Sequence, residues 1–351
     1  MKEEIPQNIL LKTQYLLYKT IKPNIFSEIS LKLFNYVANT KPENQDKIEI
    51  EIKLGKFKFD GDYSVFNRIK DVFIIPEFKF SSNSNSNKMA FEANVGKHFN
   101  LLWFYIDNEA KFDTQGVKLI EPLYYKEFIF SGEKRLSFCY NGDNILLSKE
   151  IISKTNKNHI NVKYNNNLDL RITAATEEPR VLEERDYDSI PKTYREKLRL
   201  SYRFFFYRFD LTIVRSIYNS SKLAVFGGGK AMDSDFVSTV LAEDLGYFQT
   251  TYEFEIEFEG LNHYLKNSKL ELNSFEKLIS RMVENAYILI ESITKIEIFE
   301  NLPNKIDVFE KFIHKNPTTN ETINLEGKEN KNELKKLSET SILGNYFKLN
   351  N

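Results

Sequence analysis

Residues 48–53 read Ile48-Glu49-Ile50-Glu51-Ile52-Lys53, and residues 251–260 read TYEFEIEFEG. In both, apolar and charged side chains alternate with the two-residue period of a β-strand. Two carboxylates and an ammonium share one face of the first stretch, about 7 Å apart per step, and Ile48, Ile50 and Ile52 hold the other. In the second, Glu253, Glu255 and Glu257 share a face against Tyr252, Phe254, Ile256 and Phe258. A solvent-facing row accounts for one such strand. Three glutamates in line with no interleaved cation repel one another, however, and a surface built for solubility mixes its signs. A divalent cation removes the conflict, because clusters of carboxylate oxygens suit Mg²⁺ or Mn²⁺, which take carboxylates together with water and phosphate oxygens.

The strands between these two rows carry the opposite sign. Arg195, Lys197 and Arg199 fall on one face of Tyr194-Arg195-Glu196-Lys197-Leu198-Arg199, and Arg208 and Asp210 alternate in the strand that follows. Arg171, Thr173, Ala175 and Glu177 share a face in DLRITAATEE, as do Glu133, Arg135 and Ser137 in SGEKRLSF. An edge strand protected by charge explains the Arg-x-Lys-x-Arg row taken singly, but not five charged strands. A closed barrel turns all of these faces inward, so that carboxylates and cations meet across a lumen. Guanidinium and ammonium groups there hold phosphate oxygens, while a metal bridges the carboxylates and the phosphate to be cleaved.

Around these strands the pattern is simpler. Phe26, Ile29, Leu33 and Val37 have helical spacing and predict an amphipathic helix over 24–38. Most of the stretch from Val117 to Phe258 alternates in short pieces broken by turn signals such as Asn141-Gly142 and Asn165 to Asn167, which makes it antiparallel β. Residues 81–88, SSNSNSNK, read as an exposed loop. Ser274 is placed to cap a helix through Leu278, Ile279, Met282, Val283 and Ile290 that covers the outside of the sheet. Residues 1–23 form an N-terminal segment, 24–313 the single domain and 314–351 a flexible tail rich in Asn, Thr, Lys and Glu.

Composition sets limits on function. Lys and Arg number 49 against 50 Asp and Glu in 351 residues, so any phosphate site must be local rather than a property of the whole surface. One cysteine, Cys139, excludes an internal disulfide and a Cys-rich zinc cluster and suits a reducing compartment. No apolar run has the length of a signal peptide or a membrane span, so the expectation is a soluble intracellular protein. The histidines His98, His159, His263 and His314 are scattered among polar residues and read as surface positions, and Trp103 as core. Lys58-Phe59-Asp60-Gly61 matches the Lys-x-Asp-Gly of nucleotidyl transferases, but the accompanying motifs are missing and coincidence is the better reading.

Taken in order, Glu49-Ile50-Glu51-Ile52-Lys53, Arg195 to Arg199, Asp210-Leu211-Thr212 and Glu253 to Glu257 stand at the spacing typical of triphosphate tunnel metalloenzymes. More narrowly, the sequence resembles the metal-dependent RNA 5′-triphosphatases of fungal, protozoan and large-virus capping systems, by motif order from Ile25 to Glu300. The resemblance implies an α+β, mainly antiparallel fold: an eight-stranded closed β-barrel with helices packed outside. It implies Mg²⁺ or Mn²⁺ on Glu49, Glu51 and Glu257, with Glu253 and Glu255 acting through metal-bound water or supporting hydrogen bonds. Arg135, Lys197 and Arg199 would grip the γ-phosphate, with Lys53 and Arg208 among the substrate-binding groups. Arg171, Arg195 and Asp210 would shape the lumen through paired charges, and Glu177 would orient the attacking water. Strand parity selects Glu177 over Glu178 and Arg135 over Lys134.

The activity so implied is removal of the γ-phosphate from triphosphate-ended RNA, the first step of mRNA capping, with a separate RNA guanylyltransferase as partner. The location would be the nucleus in a cell, or the cytoplasm or virion for a virus, and a homodimer is admitted although no segment declares an interface. An alternative is a tunnel enzyme acting on inorganic polyphosphate or nucleoside triphosphates, since such a lumen reads phosphates and not bases. A non-catalytic phosphate- or RNA-binding capping subunit would be marked by loss of the metal glutamates, and here both rows are complete.

Overall fold

The computed structural model describes residues 23–59, 72–75, 89–111, 118–120, 122–164, 168–181, 189–218 and 221–295. The alternating stretch at Ile48 is strand β1 (Ile48–Phe59), followed by β2 (Phe73–Ile74), β3 (Met89–Glu92), β4 (Lys118–Leu119), β5 (Leu123–Ile129), β6 (Lys134–Tyr140), β7 (Leu146–Lys163), β8 (Asp169–Pro179), β9 (Thr193–Phe204), β10 (Tyr207–Ile217) and β11 (Gln249–Glu257). Eight of them close on themselves in the order β1-β8-β7-β6-β5-β9-β10-β11, every neighbour antiparallel, with β11 returning to β1. The short strands β2, β3 and β4 extend β7, β1 and β9 beyond the barrel. The expected closed antiparallel barrel is therefore the architecture of the chain.

Closure sorts each strand by parity. Ile48, Ile50, Ile52 and Leu54 of β1, Leu170 and Ile172 of β8 and Phe254 and Ile256 of β11 point outward and are at most 4 % exposed. The hydrophobic core thus lies outside the barrel, between its wall and the helices α1 (Pro23–Asn39), α3 (His98–Lys111) and α6 (Leu272–Lys295). The one-turn helix α2 (Pro42–Gln45) links α1 to β1, and the short helix α5 (Leu261–Asn267) lies between β11 and α6. Helix α1 packs on α6, and α6 on β1; Phe275, Ile279, Val283, Ala286, Tyr287 and Ile290 form its buried stripe. Trp103, in α3, belongs to the same core.

The opposite side of the barrel departs from the sequence pattern. Between β10 and β11 the chain makes short 3₁₀ turns and helix α4 (Ser234–Thr239) instead of further strands. This segment is tied to the outer faces of β5 and β9 by buried polar groups. Lys126 donates to the carbonyls of Val237 at 2.8 Å, Ser238 at 3.0 Å and Val240 at 2.5 Å. Glu196 accepts from Tyr194 Oη and the Ala242 amide, both at 2.8 Å. Charged residues on both faces of one strand blur the two-residue alternation, which is why the sequence does not announce the cover.

Two further differences are local. Ser274 lies inside α6, which begins at Leu272, so it is not that helix's N-cap. The chain turns at Asn141-Gly142 as expected, and Asn141 Oδ1 accepts the amides of Asp143 and Ile145. Residues 1–22, Asp60-Gly61, the loop 81–88, Asn165 to Asn167 and the tail 314–351 lie outside the described residues. Among the described residues no helix is long and apolar enough to cross a membrane.

At Gly55, β1 passes from its barrel partners to β3. A Cβ there would stand 2.2 Å from the Glu92 carbonyl oxygen and 2.7 Å from Phe91 Cζ. Backbone cannot give way as a flexible side chain can, so Gly55→Ala is expected to cost about 1–3 kcal/mol. Chemical unfolding measures it, and a wild-type midpoint would contradict the close packing of β1 on β3.

Candidate active site in the barrel lumen

The inward parity of the same strands builds the lumen. Glu51 lies opposite Glu257 and Lys53 opposite Glu255 across β1–β11, while Glu51 faces Thr173 and Lys53 faces Arg171 across β1–β8. Together with β6, β7, β9 and β10 these strands enclose a cavity of about 550 Å³. Glu49, Glu51, Lys53, Arg135, Arg171, Glu177, Arg195, Lys197, Arg199, Arg208, Glu253, Glu255 and Glu257 all line it. Asp210 lies beneath the lining at 1 % exposure, where it accepts from Arg208 Nε at 3.0 Å and Ser201 Oγ at 2.7 Å and pairs with Arg199 at 3.4 Å. Glu178 and Lys134 do not line the cavity; Glu178 pairs with Arg180 at 2.5 Å instead.

Charge is divided unevenly around the wall. On β1 and β11, Glu49 and Glu51 meet Lys154, Glu51 also meets Lys53 at 3.4 Å, Glu255 meets Lys53 and Arg199, and Glu257 meets Arg208. Burial, reinforced by the Glu49 and Asp210 carboxylates, outweighs Arg208 and pushes Glu257 up to about 8. Burial would also raise Glu255, but Lys53 and Arg199 prevail and hold its carboxyl well below the usual range. Carboxylates are in excess where Glu49, Glu51 and Glu257 approach.

On the facing wall cations are in excess. Arg195 and Lys197 each stand 2.8 Å from Glu127, and Arg135 stands 4.0 Å from it. These three cations outweigh burial and hold the Glu127 carboxyl well below its ordinary value. One carboxylate does not satisfy all three: burial and the neighbouring Arg195 bring Lys197 down to about 8 in spite of Glu127. Arg135 and Lys154 each lie 3.5 Å from Glu177, which joins the two walls.

The acid-rich wall carries the oxygen donors that a divalent cation takes. Burial first, and then the nearby Glu49 carboxylate, raise Glu257, and Glu51 also faces inward beside them. Among the described residues no group of three or more His, Cys, Asp or Glu side chains converges at ligating distance, because each of these carboxylates is drawn onto a lysine or arginine. Such oxygen donors match Mg²⁺ or Mn²⁺.

In and just behind the lining stand residues the sequence pattern did not single out. Glu127 is on β5, where Lys126 is charged on the opposite face and masks the parity. Lys154, Lys157 and His159 line the cavity from β7, whose register shifts between Thr155 and Asn158 with Asn156 at φ 49°. That bulge moves the inward positions from even to odd, so no single alternation selects them. His159 is therefore a lumen residue and not a surface one, held at 3.1 Å from Thr173 Oγ1; burial and the nearby Arg171 lower its pKa. Exposed His263 keeps the expected surface position, and His314 lies outside the described residues. Arg171 corrects another expectation: among the described residues it pairs with no carboxylate, and its Nε donates to Asn161 Oδ1 at 2.9 Å.

No family model and no curated protein matches the sequence. Solved structures do match. The S. pombe Pct1 RNA triphosphatase in complex with the Spt5 CTD aligns at TM-score 0.50 and 16 % identity over 78 % of this chain and 96 % of that one. A second structure of S. pombe Pct1 aligns at TM-score 0.50 and 17 % identity over 77 % and 93 %. The RNA triphosphatase domain of a trifunctional mimivirus mRNA capping enzyme aligns at 0.38 and 14 % identity over 77 % and 98 %. The likeness to the Pct1 structures is one of fold, the triphosphate tunnel.

Glu127→Gln keeps the side-chain shape but leaves Arg135, Arg195 and Lys197 against one another at a buried position. Breaking a buried pair in this way costs about 3–5 kcal/mol. The folded-state pKa of Glu127 is depressed, so its contribution is complete above its ordinary value of 4.5 and is lost as pH falls below it. Urea unfolding at neutral pH and at pH values below 4.5 is expected to show a gap between variant and wild type that narrows on acidification. A constant gap would mean that the charge of Glu127 is not what stabilises the wall.

Proposed function

We propose that the chain is a metal-dependent RNA 5′-triphosphatase that hydrolyses the γ-phosphate of triphosphate-ended RNA in mRNA capping. The observation that carries this reading is the division of one enclosed lumen into an acid-rich wall and a cation-rich wall, within a fold shared with RNA triphosphatase structures. A polyphosphate between them would have its oxygens held by Arg135, Lys197 and Arg199 and its bound cation by Glu49, Glu51 and Glu257. Mg²⁺ or Mn²⁺ held by Glu49, Glu51 and Glu257 would supply positive charge to a bound phosphoryl group.

The side chains of the chain do the remaining work. Lys197 and Arg199 neutralise charge that grows on the equatorial oxygens, and a phosphoryl transfer of this kind needs little else from the protein than positioning and electrostatics. Glu177, steadied by Arg135 and Lys154, orients a water in line with the leaving β-phosphate. Arg195 and Asp210 act indirectly, fixing Glu127 and the Arg199–Arg208 pair. Glu253 and Glu255 support the acid wall. Lys53, held charged by Glu255 and Glu51 against the effect of burial, balances that wall. The guanylyl transfer that follows falls to a separate enzyme, since Lys58 is an exposed residue paired with Glu92 at 2.7 Å and does not enter the lumen.

Phosphate release from triphosphate RNA, ATP and tripolyphosphate under Mg²⁺ and Mn²⁺ tests the reading. Glu51→Ala and Arg199→Ala are each expected to reduce release from the RNA by at least on the order of 100- to 1,000-fold, with circular dichroism showing that the barrel persists. Full activity in both would refute the site, and release from tripolyphosphate but not RNA would favour a polyphosphatase. Release from none of the three would point to a binding subunit.

Lys197 sets a pH limit. With its pKa brought down to about 8, the ammonium is present below that value and lost above it. Because kcat/KM reports the free enzyme, its alkaline limb should fall through about pH 8 and move upward in Lys197→Arg. An unmoved limb would exclude Lys197 as the titrating group.

A further inference from the structure

The inward row of β1 does not end with its charges. Glu49, Glu51, Lys53, Gly55 and Phe57 occupy successive inward positions, and past Lys53 the chemistry of the wall changes. Gly55 projects no side chain, and the ring of Phe91 from β3 takes that place, within 2.7 Å of where a Cβ would stand. Phe91 packs on Phe57 with ring centroids 4.8 Å apart. The two rings differ in exposure: Phe57 is 2 % exposed, whereas Phe91 is only partly buried and lines the cavity. It is the one Phe, Tyr or Trp side chain among the described lining residues.

Arg171 lies on this ring. Its guanidinium carbon is 4.6 Å from the Phe91 centroid and 5.5 Å from that of Phe57. The other lumen arginines, Arg135, Arg195, Arg199 and Arg208, are each committed to a carboxylate. An arginine needed only to hold the wall together would be expected on an acid as they are, and a ring needed only for packing would be covered as Phe57 is. Instead a planar cation and a π-face stand together at one stretch of the lumen, with His159 also lining the cavity. That combination binds a nucleobase by stacking, without regard to its identity.

We propose that Phe91 and Arg171 form a stacking ledge for the first nucleobase of the substrate, so that the lumen favours a nucleotide-bearing triphosphate over inorganic tripolyphosphate. The proposal rests on the reading that the phosphates lie between the acid and cation walls. Gly55 is four residues beyond Glu51 along β1, about 13 Å at strand rise, so the ring stands clear of Glu49, Glu51 and Glu257, with Glu253 the carboxylate of the lining toward its end of β11. A terminal phosphate between the two walls leaves the ribose and base to extend along the lumen. Among the described lining residues the ledge offers them the one phenyl face, with the His159 imidazole also in the lining. Such a lumen reads a base after all, by its surface and not by its hydrogen-bonding edge.

The test compares kcat/KM for triphosphate RNA, ATP and tripolyphosphate in wild type, Phe91→Ala, Phe91→Leu and Phe91→Trp. Loss of one base–aromatic stack is expected to lower the ratio of nucleotide to tripolyphosphate activity by about tenfold in both the alanine and leucine variants, chiefly through KM. Phe91→Trp, with a larger π-face, should keep or raise it. Equal losses on all three substrates, or a wild-type ratio in Phe91→Leu, would overturn the ledge, since packing volume and not the ring would then be what matters. If the wild type cleaves ATP but not RNA, the capping reading fails while the ledge stands or falls on the ATP ratio. Cleavage of none of the three by the wild type overturns both.

Discussion

A sheet that closes into a barrel must commit every second side chain of every strand to an enclosed space. In this chain that space is filled with ionised groups, and a charge taken out of water has to be matched by an opposite one close by. The acid rows of β1 and β11 are therefore inseparable from the basic rows of β9 and from Lys154, Arg135 and Arg208. Each ion pair in the lumen answers the desolvation of its neighbours. The wall is held as a set rather than pair by pair, and Glu127 shows it most directly, with three cations gathered on one buried carboxylate.

Filling the interior with charge moves the hydrophobic core to the outside. The outward faces of β1, β8 and β11 are covered by α1, α3 and α6, and the outward faces of β5 and β9 by the segment between β10 and β11. The first cover is apolar and was legible in the spacing of residues 24–38 and of α6. The second is fastened by Lys126 and Glu196, buried polar groups whose partners are main-chain carbonyls and an amide. No local pattern reveals such a partnership, because the carbonyls are supplied by a segment more than a hundred residues away in the chain.

The lumen is graded along its length as well as divided across its width. Carboxylates crowd at Glu49, Glu51 and Glu257, cations at Arg135, Arg195 and Lys197, and beyond Lys53 the wall turns aromatic at Gly55 and Phe91. A linear polyanion with a planar base at one end has the same sequence of chemistries. This correspondence depends on three strands whose pairing is set by different forces. The β1–β11 register places acid beside acid, the β1–β8 register places Lys53 beside Arg171, and the absence of a side chain at Gly55 lets β3 bring its ring to the wall.

Strand parity by itself determined which residues of β1, β8, β9 and β11 face one way, and hence that Glu49, Glu51, Arg195, Lys197, Arg199, Glu255 and Glu257 form like-facing rows. The period of two is a property of extended backbone and needs no tertiary contact. Parity failed where that regularity fails. The bulge near Asn156 shifts β7 so that Lys154, Lys157 and His159 all reach the lumen, and charges on both faces of β5 hide Glu127. Arg171 had the right parity, but its aromatic partner comes from a strand distant in sequence. What only the tertiary structure decided is who meets whom: closure brings the rows to a common centre, and the resulting burial alters the ionisation of groups such as Glu257 and Lys197. Facing direction is local and survives in sequence; neighbourhood and dielectric exist only once the ring of strands is complete.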